Sequence, residues 1–307
     1  MPHPIKQNHI IVTVFRIRLS VILTVALAVL GSSCLGSEGQ TSLWEVESEH
    51  TTVYLLGSIH VLSEEDHPLP QSMEDAFNDA EAVVFELDID SMGTDETQNI
   101  IMSKALCSQG ETLQTMLSAD TYDLVKTELN ELAPGMISQL NFFEPWFVAL
   151  AIDELKREEL GFESEYSVDT YFFEKVKDSG KETIAFETVE FQIDLFDQLS
   201  AAHQEELLLD TMRELDTIES ELTDLVDAWR DGDTSTLEGI VTEGSKDYPN
   251  VYANFVTDRN LTWLAQIEEF LDDGEKQYLI VVGAGHMVGP DGLVSLLQDK
   301  GYSVEQL

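Results

Sequence analysis

Short apolar runs alternate with amphipathic segments along most of the chain. Five runs have the length and the β-branched content of strands, at residues 52–56, 82–89, 182–186, 277–282 and 302–306. The segments between them place apolar residues at helical spacing, as at Leu113, Met116 and Leu117, and Pro145 begins a further helical pattern. This alternation predicts an α/β fold with a central, mostly covered β-sheet flanked by helices. The helix-rich stretch at about 100–180 is predicted to be a helical insertion.

The first 34 residues differ from the rest. They contain three basic residues and no acidic one, then a mostly apolar segment at 19–30 that is too short to span a bilayer well, then "GSSC". This pattern is typical of a secretory signal peptide. Cys34, at the end of "LGSSC", is a candidate lipidation site, and ordinary cleavage near Ser33 or Gly36 is the alternative. We predict a signal peptide at 1–34, a flexible tether at 35–42 and one domain at 43–307.

The expected location is therefore outside the cytoplasm, in the periplasm or cell envelope if the protein is lipid-anchored and secreted otherwise. All 59 acidic residues follow the signal segment, where only 13 Lys and Arg accompany them, a formal net charge of −46. This charge makes nucleic acid a poor partner, and it leaves a lipid anchor as the only expected link to a membrane. Because salt screens self-repulsion, the charge also indicates adaptation to a saline environment, and the alternative is a generically soluble acidic protein.

Two of the histidines share a sequence context. His60 in "YLLGSIHV" and His286 in "VVGAGHMVG" each follow an apolar run and end a Gly-x-x-His motif, and ligands of open α/β sheets bind beyond the carboxyl ends of strands. Gly57, Gly283 and Gly285 would allow sharp turns and close approach of a ligand. The alternative is a locally hydrogen-bonded turn residue. The pattern "GAGHMVG" is a poor match to a dinucleotide site, because the acidic residue required about 20 positions later would fall at the terminus.

Glu86 is the third candidate. It follows an almost unbroken apolar run in "AVVFELDID", which predicts a covered strand and therefore a buried carboxylate that needs a cation or hydrogen-bond donors. Two histidines and a glutamate form a known ligand set for a catalytic divalent metal ion. His60, Glu64 and His67 would be a competing set on a helix, but Pro68 disfavours helical geometry at His67, which we expect in a solvent-facing loop.

In combination, these motifs resemble the TraB/GumN family, whose animal members, the Tiki proteins, are metal-dependent proteases. "YLLGSIHVL" with "HPLP" resembles the opening motif and "VVFELD" the glutamate motif. "EPWFVAL" and "SVDTYFFEKVKDSGKETIAFETVEFQ" resemble the middle of the family, and "DRN" and "VVGAGHMVGPDGLVSLLQDKGY" resemble its close. One departure is Ser167, at or near a position where the family pattern has glycine.

The resemblance implies a fold related to erythromycin esterases and haem-binding ChaN-like proteins. It makes His60 and His286 the motif histidines, Glu86 the motif acid, and Arg259 the arginine of the helix before the last motif. The implied function is an exported metal-dependent hydrolase, foremost a peptidase, that uses Mn, Co or Zn on a peptide or small-molecule substrate. Glu86 would be a metal ligand or the general base.

Other roles stay open at this stage. Arg259 would stabilise an oxyanion or hold a substrate carboxylate, and the alternative is a simple salt bridge. Trp146 and Trp263 are expected in the core, and no functional role is predicted for His50 or His203. The alternative functions are non-enzymatic binding of haem or another ligand in the same cleft, and an interaction protein whose motifs merely preserve the fold.

Overall fold

A computed structural model describes residues 39–247 and 249–307, without the side chains of 243–248. The predicted signal segment, Cys34 and the first half of the tether, residues 35–38, lie outside these residues. The strands are β1 Leu43–Glu47, β2 Thr52–Ser58, β3 Ala82–Leu87, β4 Glu182–Glu187, β5 Tyr278–Gly283 and β6 Ser303–Gln306. The α-helices are α1 Gln71–Asp79, α2 Ile89–Met92, α3 Asp95–Ala105, α4 Leu113–Met116, α5 Ala119–Leu132, α6 Ile137–Leu140, α7 Pro145–Leu160, α8 Val168–Ser179, α9 Val189–Asp197, α10 Ala201–Glu214, α11 Ile218–Arg230, α12 Thr234–Asp247, α13 Pro249–Tyr252, α14 Asp258–Asp273 and α15 Leu293–Lys300.

The chain divides into two compact units. The sheet unit contains residues up to 89, together with 163–188 and 218–307, and the helical unit contains 90–162 and 189–217. Helices dominate the middle of the chain as predicted, but the predicted extent of about 100–180 was wrong. The strand β4 and the helix α8 belong to the sheet unit, whereas α9 and α10 belong to the helical unit. A contiguous stretch of sequence therefore does not define either unit.

Among the described residues, six strands form one sheet in the order β4-β3-β5-β2-β1-β6. The first four strands of this order are mutually parallel, and β1 and β6 extend the sheet in antiparallel pairing. Strands β3 and β5 are buried along their whole length, which explains their continuous apolar sequence, because a parallel sheet is covered on both faces. The predicted α/β fold is confirmed.

The helical unit packs around α7. Trp146 is fully buried near the start of this helix, as predicted, and its ring stacks on Phe196 of α9 with 5.9 Å between centroids. Lys104 of α3 donates to Asp194 of α9 over 2.5 Å, and Gln204 of α10 donates to Glu144 over 3.1 Å. Nowhere in the described ranges is a helix both long enough and apolar enough to cross a membrane.

Candidate active site

The candidate site lies where the four parallel strands of the sheet unit end. Ser58 is the last residue of β2 and pairs in register with Gly283, the last residue of β5. The Gly-x-x-His motifs continue both strands, so they bring His60 and His286 to the same edge of the sheet. Glu86 and Glu187 come from the ends of β3 and β4. Four sequence segments therefore supply polar side chains to one place, as expected for ligand sites in α/β sheets.

Gly57, the glycine of the first Gly-x-x-His motif, allows close packing at this edge. A Cβ atom at Gly57 would lie 3.1 Å from the backbone Cα of Ala284, in the turn that carries His286. The carbonyl of Gly57 accepts a 2.7 Å hydrogen bond from the buried indole of Trp229. A side chain at residue 57 would therefore push the turn after β5 away from the end of β2 by a few tenths of an ångström or more. The glycine therefore serves to bring the two histidine turns together.

A buried ion-pair network surrounds Arg259, on the first turn of α14. Its Nη2 donates to Glu86 Oε2 over 2.6 Å and to Glu187 Oε2 over 2.9 Å, and its Nε donates to Glu187 Oε1 over 3.0 Å. Its Nη1 donates to the carbonyl of Phe255 and to Nε2 of His286, each over 3.1 Å. The arginine side chain is wholly inaccessible to solvent. The salt bridge considered for Arg259 is thus present, and its two partners are strand-end glutamates.

The second oxygen of Glu86 faces the sheet edge. Glu86 Oε1 accepts the backbone N–H of Gly283 over 2.7 Å and lies 4.0 Å from Nε2 of His286. The glutamate is only 5% exposed, as the covered strand predicted. Burial alone would raise the pKa of Glu86, but Arg259, the two histidines and the Gly283 amide together lower this pKa to about 2. Glu86 is therefore ionised throughout the neutral range.

His286 is held as a neutral imidazole. Asn260 donates its amide hydrogens to the carbonyls of His286 and Asp291, so its Oδ1 accepts from Nδ1–H of the histidine over 2.7 Å. Nε2 is consequently the unprotonated nitrogen, and it accepts the hydrogen bond from Arg259. Burial and the arginine charge lower the pKa of His286 to about 3, against the opposing effect of Glu86. Trp263 is buried as predicted, and the centroid of its ring lies 4.5 Å from the centroid of the imidazole.

His60 is the most accessible of these side chains, at 20% exposure. Its Nδ1 lies 2.9 Å from Asp169 Oδ2, and Asp169 Oδ1 accepts a 3.0 Å hydrogen bond from Ser58. Burial would lower the pKa of His60, but the charge and hydrogen bond of Asp169 raise it. The histidine nitrogen that remains for chemistry is Nε2.

The space next to Gly283 is where these groups meet. A Cβ atom at this glycine would lie 3.1 Å from His60 Nε2, 3.4 Å from Glu86 Oε1 and 3.7 Å from Cδ2 of His286. The space thus exists because residue 283 has no side chain. It is bordered by an imidazole nitrogen and a carboxylate oxygen, which are ligand atoms for divalent transition metals.

The charges around this space do not cancel. Three carboxylates, of Asp169, Glu86 and Glu187, accompany one guanidinium, so two negative charges are in excess when both histidines are neutral. No three side chains of His, Cys, Asp or Glu within the described ranges converge as a ready metal site. His286 Nε2 accepts a hydrogen bond from Arg259 in this structure, so its lone pair is not available to a metal ion in this arrangement.

Three further histidines lie within the described residues, namely His50, His67 and His203. His50 and His203 are exposed. The prediction of a solvent-facing His67 was wrong. His67 is half-buried, its Nε2 contacts the carbonyl of Tyr166 over 2.8 Å, and its ring lies 5.4 Å from that of Tyr171. The Tyr166 carbonyl and the Tyr171 ring therefore contact this imidazole in place of water.

Sequence reasoning missed Asp169 and Glu187, and it gave no role to Asn260 although this residue belongs to the "DRN" motif. Asp169 stands two positions after the helix-capping Ser167, and Glu187 ends its strand as Glu86 nearly ends β3. These positional signals could have marked both acids. Ser167 itself has φ −58° and ψ 152°, which any residue adopts, so the expected glycine is unnecessary there.

Comparisons with known proteins agree with the motifs. The sequence model of the TraB/PrgY/gumN family matches residues 42–306. Metalloprotease TIKI2 of Xenopus tropicalis is 25% identical over 86% of this chain and 59% of its own length, and Metalloprotease TIKI1 of Homo sapiens is 24% identical over 88% and 62%. Uncharacterized protein YbaP of Escherichia coli is 24% identical over 80% and 87%. The chain therefore spans about three-fifths of these two metalloproteases. No solved structure gives a significant match.

Proposed function

The chain belongs to the TraB/PrgY/gumN family, and on this premise we propose that it is a metal-dependent hydrolase that acts on peptides. The observation that carries the proposal is the space next to Gly283. An imidazole nitrogen and an ionised carboxylate oxygen border it, and the surrounding cluster has two negative charges in excess when both histidines are neutral. A divalent cation would compensate this excess. The substrate class comes from the relatives named metalloproteases.

The donor chemistry fits a divalent ion such as Mn, Co or Zn. His60 Nε2 and Glu86 Oε1 would hold it, and His286 Nε2 would become a third ligand if Arg259 released this nitrogen. Both histidines suit the role, because a partner on Nδ1 leaves the Nε2 lone pair unprotonated. A bound ion would polarise a scissile carbonyl and lower the pKa of a water molecule.

Glu86 acts in this proposal as a ligand rather than as the general base. A general base works best when its pKa lies near the operating pH. The pKa of Glu86 is about 2, and one of its oxygens is occupied by Arg259. A carboxylate with so low a proton affinity binds cations without competition from protons at neutral pH.

Arg259 acts in this proposal through its neighbours. All five N–H groups of its guanidinium have acceptors in the network described above, and the side chain is inaccessible. It therefore has no donor left for an oxyanion in this arrangement. Its role would be to keep Glu86 ionised and to fix the position of His286.

Calorimetric titration with Mn²⁺, Co²⁺ and Zn²⁺ tests the proposal. In molar salt, the wild-type protein is expected to bind one of these ions, and the His60→Ala/His286→Ala double variant to lose this binding while remaining folded. His203→Ala removes an exposed histidine of the helical unit and serves as the matched control. Equal binding by the wild type and the double variant would refute the proposed metal site.

A second variant guards against misfolding of the double variant. Gly283→Ala places one methyl group against His60 Nε2 and Glu86 Oε1, and its backbone angles, φ −49° and ψ 135°, are ordinary for alanine. We expect a folded protein with at least tenfold weaker metal binding. If the metal-loaded wild type cleaves no member of a peptide library, the proposed peptidase activity is refuted, whereas the proposed metal site is not. A Soret absorption band on purification would instead support haem binding.

A further inference from the structure

The start of α8 is bound to the His60 turn at three consecutive residues. The Val168 amide donates to the carbonyl of Ile59 over 3.2 Å. The neighbouring carboxylate of Asp169 accepts from the Ser58 hydroxyl with Oδ1 and contacts His60 Nδ1 with Oδ2. One helix terminus thus holds both the backbone and the imidazole of the turn after β2.

The contact with Asp169 determines which nitrogen of His60 carries the proton. An ionised carboxylate offers only acceptor atoms, so Nδ1 of the neutral ring must carry hydrogen to bond with it at 2.9 Å. Nε2 then keeps its lone pair. This lone pair belongs to the atom that lies 3.1 Å from the Cβ position of Gly283. The same hydrogen bond limits rotation of the ring.

Ser58 and Ser167 hold Asp169 in place. The Ser58 side chain is almost completely buried and binds the second carboxylate oxygen, so the carboxylate cannot rotate without losing a partner. Ser167 caps the helix by accepting the amide of Thr170 over 3.1 Å. Asp169 therefore stands in the first turn of α8, where the helix dipole also favours a negative charge.

We propose that Asp169, oriented by Ser58, is a positioning residue that fixes the Nδ1–H tautomer of His60 and directs Nε2 into the space next to Gly283. The tautomer follows from the geometry of these residues alone. The consequence for metal affinity rests on the proposed function. Carboxylate partners of metal-binding histidines typically contribute about 10- to 100-fold in metal affinity.

Asp169→Ala and imidazole ¹⁵N NMR test the proposal. At a pH where the ring is neutral, wild-type His60, assigned by loss of its signals in His60→Gln, is expected to show Nδ1 protonated and Nε2 bare. In Asp169→Ala, both tautomers should be populated, and affinity for Mn²⁺, Co²⁺ or Zn²⁺ should fall about 10- to 100-fold. Asp169→Asn should recover much of the wild-type behaviour, because its amide can offer oxygen to His60 and nitrogen to Ser58.

Glu174→Ala is the matched control. Glu174 is an exposed acid of the same helix whose partner is Lys177, and its removal should change neither the tautomer nor metal affinity. The inference would be overturned if His60 kept Nδ1–H in a folded Asp169→Ala variant. It would also be overturned if the wild type bound a metal ion and Asp169→Ala bound it with the same affinity. If the wild type binds none of the three metals, the proposed function fails, and the tautomer measurement alone decides the role of Asp169.

Discussion

Arg259 donates its five N–H groups to five acceptor atoms inside the protein, and two of its partners are glutamates with buried side chains. Methionine at this position would keep much of the volume but leave Glu86 and Glu187 without a counter-charge. Breaking one partner out of a buried pair typically costs about 3–5 kcal/mol. We expect Arg259→Met to lower the free energy of unfolding by about this amount in urea titrations.

A double-mutant cycle with Glu187→Gln separates the charge effect from packing. Neutralising one orphaned carboxylate should make Arg259→Met less costly in the Glu187→Gln background than in the wild type. Arg213→Met is the matched control, because the Arg213 side chain is 63% exposed and pairs with Asp210 on the same helix. It should change stability by less than about 1 kcal/mol. Equal losses for Arg259→Met in both backgrounds would contradict the buried network.

His286 makes stability depend on pH. Its pKa is about 3 in the folded protein and 6.5 in the unfolded chain. Between these values the unfolded chain binds the additional proton, so the contribution of neutral His286 is complete above pH 6.5 and is lost as pH falls towards 3. With a chelator present, urea titrations of the wild type should show this loss, and His286→Gln should show a shallower decline between pH 6.5 and 4. Parallel pH profiles of the two proteins would contradict the assignment.

At the scale of elements, five of the six described strands follow from the sequence, and in β2, β3 and β5 burial leaves an almost continuous apolar run. The ends of β2 to β5 differ from the predicted ends by at most two residues. β1, "LWEVE", was missed because an antiparallel strand near the edge needs no such run, and Glu45 and Glu47 interrupt its apolar residues. Local sequence also cannot assign β4 to one unit and α9 to another, because this depends on contacts distant along the chain.

The same limit applies to the site. His60, Glu86 and His286 could be predicted since each follows or ends an apolar strand in a recognisable motif. Asp169 and Asn260 lie on helices, and their roles depend on which strand end each helix start meets in the fold. A motif therefore identifies the residues at a strand end, whereas the partners that orient them become visible only with the tertiary structure.

The antiparallel extension of the sheet contains an unfavourable pair. Glu45 of β1 lies directly opposite Glu305 of β6. Burial, followed by the charges of Glu47, Glu305 and Asp79, raises the pKa of Glu45. Opposite charges across a strand pair contribute about 0.2–1 kcal/mol, and like charges oppose pairing. Glu305→Lys should therefore raise the free energy of unfolding by about 0.5–1 kcal/mol, measured in urea, and Glu305→Gln by less.

A change in net charge alone must be excluded for this substitution. Glu206→Lys alters the net charge equally at an exposed position of α10, outside the sheet. It should stabilise the protein less than Glu305→Lys does at low ionic strength. If both substitutions have the same effect, the cross-strand pair makes no specific contribution, and the relief comes from the overall charge.

Repulsion between acidic side chains also acts across the whole molecule, because residues 35–307 have 59 acidic side chains and 13 basic ones. Screening shortens the range of repulsion from about 10 Å in 0.1 M salt to about 3 Å in 1 M salt. We expect Tm to rise by about 5 °C or more between low and molar NaCl, which corresponds to roughly 2 kcal/mol. Sucrose stabilises by exclusion without screening charge, so it is the control, and its increments should continue where those of NaCl level off. A Tm that does not rise with NaCl would mean that the acidic surface is spaced widely enough to cost little, and it would remove the reason to place this protein in a saline environment.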